Sequence, residues 1–217
     1  MTLIELMVTL VVGSIILMAA FAMLDTSVTQ TGKVTERVDA TQRGRLALDE
    51  IARQLRSQVC PVHDTPAMVA GTGSSITFYT FMRAGEFRPE RHAITWDATA
   101  RTIVEQDYQP TGLAGALVYP AAPTAARTLL ADVVASGTDP IFDYFTWSTT
   151  GQVLPSLRLT TPLAQGDLAR VVRVAISFRS LPSGRPASAP GVAFQTDVYS
   201  RTANPNAAAG PAGPQCA

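Results

Sequence analysis

Lysine is nearly missing from this chain of 217 residues: Lys33 is the only one, and the other basic side chains are all arginine. With alanine abundant, codon usage explains that bias as readily as function does. An excess of either charge is missing too. The 17 acidic residues balance the 17 basic ones, which removes any global field for nucleic acid or anionic lipid. Only two cysteines occur, Cys60 and Cys216, far apart and outside any metal-ligand spacing. The two histidines, His63 and His92, sit in polar, loop-like surroundings and read as surface residues rather than as metal ligands or members of a nucleophilic triad. Gly71-Thr72-Gly73-Ser74-Ser75 lacks the following helix and lysine of a phosphate loop and reads as a turn before a strand. Asp139 and Asp143 do not have the spacing of a calcium loop and lie beside turn residues. The expectation is therefore of no enzyme, no catalytic residues, no metal and no cofactor.

What the chain does have is a long apolar start. Residues 6–24 form an uninterrupted uncharged run of 19, with Thr9, Gly13 and Ser14 its only breaks in apolar character. As a helix that run spans roughly 28 Å, close to the hydrocarbon thickness of a bilayer. A secretory signal is the weaker reading, because no positively charged segment precedes the run and the run is too long. Glu5 is the one charge in Met1–Leu24. A carboxylate near the end of an apolar helix is costly to bury and needs a partner or a role. The free amine of Met1 on a neighbouring copy or related chain would serve, and snorkelling to the membrane surface is the alternative.

The octapeptide Met1-Thr2-Leu3-Ile4-Glu5-Leu6-Met7-Val8 resembles the mature N-terminus of type IV pilins and pseudopilins, with Met1 where phenylalanine is commonest. The resemblance implies that a prepilin peptidase cuts a leader just before Met1 and methylates the new terminus, so that the sequence would be the processed form. It also implies assembly through the segment Thr2, Leu3, Ile4, Glu5 and Leu6, with Glu5 pairing to the N-terminal amine of a neighbour. The partners implied are other pilin or pseudopilin subunits, the prepilin peptidase and the inner membrane before assembly. A periplasmic or extracellular filament follows after it. Many major pilins carry a proline near position 22; Phe21-Ala22-Met23 has none, which leaves Gly13 and Ser14 as the weak point of the helix.

From Asp25 to Val59 the pattern becomes amphipathic. Val28, Val34, Val38, Leu48, Ile51, Leu55 and Val59 recur mostly at helical spacings, and Pro61 closes the helix near Gln58. Gly32 and Gly44 each weaken it locally by about 1 kcal/mol relative to alanine. The stretch Arg45–Arg56 is similar to the matching part of PilW-type minor pilins, and J-type pseudopilins carry a related segment. An exported chain meets an oxidising compartment, where a Cys60–Cys216 bridge ties the tail to the end of the stem; two free thiols are the alternative.

Beyond residues 61–75, read as a loop, the period shifts to two. Strands are expected at Ile76–Met82, in a hairpin of 93–96 and 101–105, at Thr128–Val134, Ile141–Trp147, Val172–Arg179 and Val192–Arg201. Phe142-Asp143-Tyr144-Phe145 followed by Gly151 is similar to a strand and glycine turn of the same pilin groups. The strand at 172–179 should lay its apolar face on the stem helix. Residues 109–126 and 181–191 read as loops. Arg83, Arg88 and Arg91, interleaved with Phe81 and Phe87, have the arrangement of a nucleic-acid contact, but Glu86 and Glu90 neutralise it and disfavour that partner.

The expected architecture is α+β: a helix over about 1–58 whose second half packs on an antiparallel β-sheet. Its parts are an apolar helix at 1–24, an amphipathic helix at 25–60, a β-rich domain at 61–202 and a tail at 203–217. The expected function is a structural, minor pilin-like subunit. The alternatives are a J-type pseudopilin of a type II secretion system, a major pilin, or, from a different class, a membrane-anchored receptor or enzyme.

Overall fold

The computed structural model describes residues 2–61, 65–81, 88–112, 116–147 and 156–200. The chain divides into two compact units, Met1–Asp39 and Ala40–Ala217. One helix, α1 (Leu3–Arg56), supplies the whole described part of the first unit beyond Thr2 and opens the second. Among the described residues of the first unit none is buried, and Leu3, Leu10, Ile16 and Phe21 are all largely exposed.

Within the second unit the same helix becomes a packing element. Ala40, Gly44, Ala47, Ile51 and Leu55 are buried, spaced by three or four residues along one face. The expected amphipathic stripe is thus corrected at its start: Val28, Val34 and Val38 are exposed, and burial begins only at Ala40. The helix also closes two residues earlier than expected, at Arg56. The Ser57 amide is shared between the carbonyls of Arg53 and Gln54, and its hydroxyl lies 2.6 Å from that of Thr80. Gln58 then bridges to Thr80, so the chain leaves the helix already paired to a strand.

Two antiparallel sheets meet this helix. The first is a meander of β1 (Met68–Gly71), β2 (Ser75–Thr80), β3 (Glu90–Asp97), β4 (Thr102–Tyr108) and β5 (Ala125–Ala131), paired in chain order. The turn between β3 and β4 is set by Asp97, whose carboxylate accepts the Thr99 and Ala100 amides at 2.8 and 2.9 Å, as Asp does in such turns. The second sheet holds β6 (Val133–Val134), β7 (Phe142–Thr146), β8 (Leu157–Arg158), β9 (Arg173–Ser180) and β10 (Val192–Tyr199), ordered β10-β9-β7-β8 with β6 also on β9. A short helix, α2 (Gln165–Leu168), precedes β9. Asp132, at φ 58°, lies between β5 of the first sheet and β6 of the second.

The core is one cluster. Ile51 and Leu55 of α1 lie with Ile76, Phe78, Ile94 and Ile103 of the first sheet and with Phe142, Tyr144, Val174, Ile176 and Phe178 of the second. The strand β9 alternates strictly, as expected, and its buried side chains share this cluster with the helix. Tyr144 reaches across, its hydroxyl donating to the carbonyls of Thr72 and Ser75 in the turn between β1 and β2. At Gly44 the helix and β10 come close: a Cβ there would lie 2.3 Å from the ring of Phe194.

The α+β architecture and the packing of the helix's second half on antiparallel sheet agree with the sequence-based expectation. Three short elements were not expected. β1 lies in the stretch read as a loop, because Met68-Val69-Ala70-Gly71 has no period-two signal of its own and exists by pairing with β2. β8 and α2 are too short to carry a pattern.

Candidate functional site

Two places in the molecule concentrate chemistry that the core does not explain. The first is the start of α1. Its N-terminal turn is held by Thr2 and Glu5: the Thr2 carbonyl accepts the Glu5 amide at 3.1 Å, and the Glu5 carboxylate accepts the Thr2 amide at 3.3 Å. That is one arm of the reciprocal arrangement in which a threonine starts a helix and a glutamate three residues on reaches back. The signal was legible in Thr2-Leu3-Ile4-Glu5 and the reading of Glu5 as a charge without a local role passed over it.

Beyond Glu5, each hydroxyl in the apolar run is bonded to the helix's own backbone. Thr9 donates to the carbonyl of Leu6 at 2.9 Å and Ser14 to that of Val11 at 2.8 Å; Thr26 reaches Ala22 at 2.9 Å. Side chains that bond back in this way present no unpaired donor to an apolar surrounding. The helix runs unbroken through Gly13 and Ser14, which with Thr9, Leu10 and Leu17 line a shallow notch on its surface. Thr2, Leu3, Ile4, Glu5 and Leu6 are all exposed. The helix is long and apolar enough to cross a membrane, and none of its most apolar window is buried within the chain. Met1 lies outside the described residues.

The second place corrects the reading of His92. It is not a surface histidine in a loop but a residue of β3 with 3 % of its side chain exposed. Register explains how it comes to be surrounded. Phe78 of β2 and Asp107 of β4 lie opposite His92 on its two sides, Glu105 lies opposite Ile94, and Arg127 of β5 lies opposite Glu105. The Nδ1 atom of His92 is 3.0 Å from Glu105 Oε1 and 2.9 Å from Asp107 Oδ1, and Nε2 is 3.3 Å from Glu90 Oε2. Its ring stacks on Phe78 with centroids 6.3 Å apart.

The helix closes the cluster from above. Gln54, fully buried, donates Nε2 to Glu105 Oε1 at 2.7 Å and to Glu50 Oε1 at 2.8 Å. Arg127 pairs with Glu105 and with Glu50, the latter at 2.6 Å, and Arg53 also pairs with Glu50. Burial alone would lower the affinity of the His92 imidazole for its proton, but the carboxylates of Asp107, Glu105 and Glu90 outweigh it and hold the pKa up at about 9. For Glu50, burial would raise the pKa, and hydrogen bonds from Arg53, Gln54 and Arg127 bring it down to about 2. Asp107 is lowered, chiefly by His92.

No family model matches the chain, and no curated protein matches it.

Cys60 is held in a disulfide, and no free cysteine is found among the described residues; Cys216 lies outside them, as does His63. Of the basic and aromatic cluster considered for nucleic acid, Arg83, Glu86 and Phe87 also lie outside the described residues. Glu90 is buried, with its Oε2 3.3 Å from His92 Nε2. Arg91, on the opposite face of β3, is spent on structure: its guanidinium sits 4.3 Å over the Tyr108 ring and donates to the Pro120 carbonyl at 2.8 Å, pinning the loop before β5. Asp143 pairs with Arg158 at 2.6 Å across β7 and β8, an ordinary surface ion pair.

The His92 cluster escapes the sequence because the hairpin signal begins at Ala93 and ends at Glu105, three residues after the start of β3 and three before the end of β4. The available signal was the pair of polar i, i+2 spacings, Glu90/His92 and Glu105/Asp107, in two strands that face each other.

Proposed function

We propose that this chain is a structural subunit of a filament of the type IV pilin kind, closest in pattern to a minor pilin. The observation that carries this is the division of α1. Up to Asp39 no described residue of the helix is buried by the chain, whereas from Ala40 to Leu55 one face is buried by it. An apolar helix with no burial of its own gains about 25 cal/mol for each Å² of apolar area it removes from water. Lipid supplies that environment first, and a bundle of like helices supplies it on assembly. The subunit is thus held in the inner membrane until it is drawn into the filament. Its outer domain packs beside its neighbours and catalyses no reaction. Processing by a prepilin peptidase and methylation of the terminal amine belong to the same reading.

Glu5 is the residue that distinguishes this reading from a simple anchor. Among the described residues of the lone chain, its carboxylate has only the Thr2 amide, at 3.3 Å. In a bundle it pairs with a neighbour's terminal amine and fixes the axial register, with specificity rather than net stability as the gain. Glu5→Gln keeps the ability to accept the Thr2 amide and loses the charge; Glu5→Ala loses both. Both variants are expected to accumulate normally in the membrane and to be depleted several-fold from sheared filaments, as read by immunoblot of the two fractions. If Glu5→Gln entered filaments as the unaltered chain does, Glu5 would be a helix cap only and the pairing would be wrong.

A further inference from the structure

We infer that His92, Glu105 and Asp107 form a binding site for a divalent transition-metal cation of the zinc class, buried between α1 and the first sheet. Among the described residues, these three offer one imidazole nitrogen and two carboxylate oxygens that all lie within 4.8 Å of one another. That donor set suits zinc, which takes nitrogen and oxygen ligands at about 2.0–2.2 Å. Two atoms bound at such lengths stand about 2.8–3.6 Å apart for angles between 90° and tetrahedral. The observed separations of 3.0 Å and 2.9 Å from His92 Nδ1 fall at the short end of that range, and the two carboxylate oxygens lie within 4.8 Å of each other.

A proton does not satisfy the arrangement. The single N–H at Nδ1 is directed to Glu105 Oε1, and Asp107 Oδ1, buried and 2.9 Å away, is near the same nitrogen without hydrogen-bond geometry. A second buried acceptor at the same place is also orphaned. Gln54 is fully buried, its Nε2 lies on Glu105 Oε1, and the Oε1 of the same amide has no donor. Buried acceptors without donors are uncommon and costly. A cation joined to Nδ1, Glu105 and Asp107 satisfies both carboxylates at once, and a water in its fourth position can donate to Gln54 Oε1.

The surroundings are rich in carboxylate: oxygens of Glu90, Glu105 and Asp107 all lie within 3.3 Å of the His92 ring nitrogens. Asp107, with 29 % of its side chain exposed, provides the way in from solvent. Since Gln54 sits on α1, the bound cation would clamp the stem helix to β3 and β4. Glu90, on the far ring nitrogen, orients the imidazole as carboxylates commonly do for metal-bound histidine.

The test uses the full chain in detergent micelles, stripped with a chelator and titrated calorimetrically with zinc chloride, with calcium and magnesium chloride as comparisons. One zinc per chain is expected, with a rise in the Tm of the second unit and no response to calcium or magnesium. Asp107→Asn, at the exposed side of the cluster, should keep the same circular dichroism spectrum and lose zinc affinity by more than about tenfold, together with the Tm rise. Glu105→Gln should do likewise, and His63→Ala should bind as the unaltered chain does. The inference is overturned if zinc shows no saturable binding, if Asp107→Asn and Glu105→Gln both bind it unchanged, or if calcium is preferred.

Discussion

Leu3–Asp39 and Ala40–Arg56 belong to one unbroken helix, and the chain treats them in opposite ways. In the first stretch Gly13 and Gly32 have no atom within 4 Å of where a side chain would start, whereas in the second Gly44 has the Phe194 ring against it. The first carries large apolar side chains that the chain leaves exposed; the second buries small ones, Ala40, Gly44 and Ala47, before Ile51 and Leu55. A side chain's character on this helix therefore does not say whether it is buried. The small residues are inside because two sheets come close, and the large ones are left exposed by the chain. That difference is what separates a packing helix from one meant for another environment.

The comparison breaks most visibly at Ile51. It is fully buried, so Ile51→Ala should lower the unfolding free energy of the second unit by about 2–5 kcal/mol, while Leu10→Ala should leave it unchanged. Chemical denaturation of both variants in micelles reads the contrast. Next in size is Gly44→Ala. Alanine is the better helix former by about 1 kcal/mol, yet the overlap with Phe194, itself tilted against the Phe178 ring, should make the change destabilising by about 1–3 kcal/mol.

The charged contacts give a smaller effect. The pKa of Glu50 is brought down to about 2 from 4.5, so its contribution is fully present above about pH 4.5 and is lost as pH falls towards 2. Both arginine partners are more than half exposed, so solvent screens the pair and the loss is on the order of 1 kcal/mol. Glu50→Gln should flatten the acid limb of a stability–pH curve by that amount. Smallest is Gly32→Ala: with no neighbour to meet, it should only gain helix propensity and slow amide exchange across Thr26–Asp39 by up to about fivefold. A destabilising Gly32→Ala in the isolated chain would mean that the first stretch has contacts of its own after all.

Much of the fold could be read in advance, because its signals are local. Val174, Ile176 and Phe178 alternate with Arg173, Ala175 and Ser177, and any sheet that buries one side must place them as found. The apolar run to Leu24 likewise announces its helix by length alone. What could not be read depends on partners distant in sequence. Gly44 looked like a defect in the helix until Phe194, 150 residues on, was seen to occupy the space beside it. His92 looked like a surface residue because charged neighbours signal solvent, and only the register of β3 against β4 turns Glu105 and Asp107 towards it. Arg127, which completes that cluster with Glu50, belongs to a strand whose start at Ala125 lay inside a segment read as a loop. Long-range pairing of this kind leaves no period in the sequence.

The central claim is that the first stretch of α1 is covered by something outside the chain. Leu10, Leu17 and Leu46 are comparably exposed within it, at 66 %, 62 % and 71 %, so the chain by itself gives no reason for them to differ. Single variants Leu10→Cys, Leu17→Cys and Leu46→Cys, labelled by a water-borne maleimide in isolated membranes and in sheared filaments, test this directly. The account predicts rapid labelling at position 46 in both preparations and shielding at positions 10 and 17 in both, lifted on denaturation. Equal labelling at all three positions would contradict it.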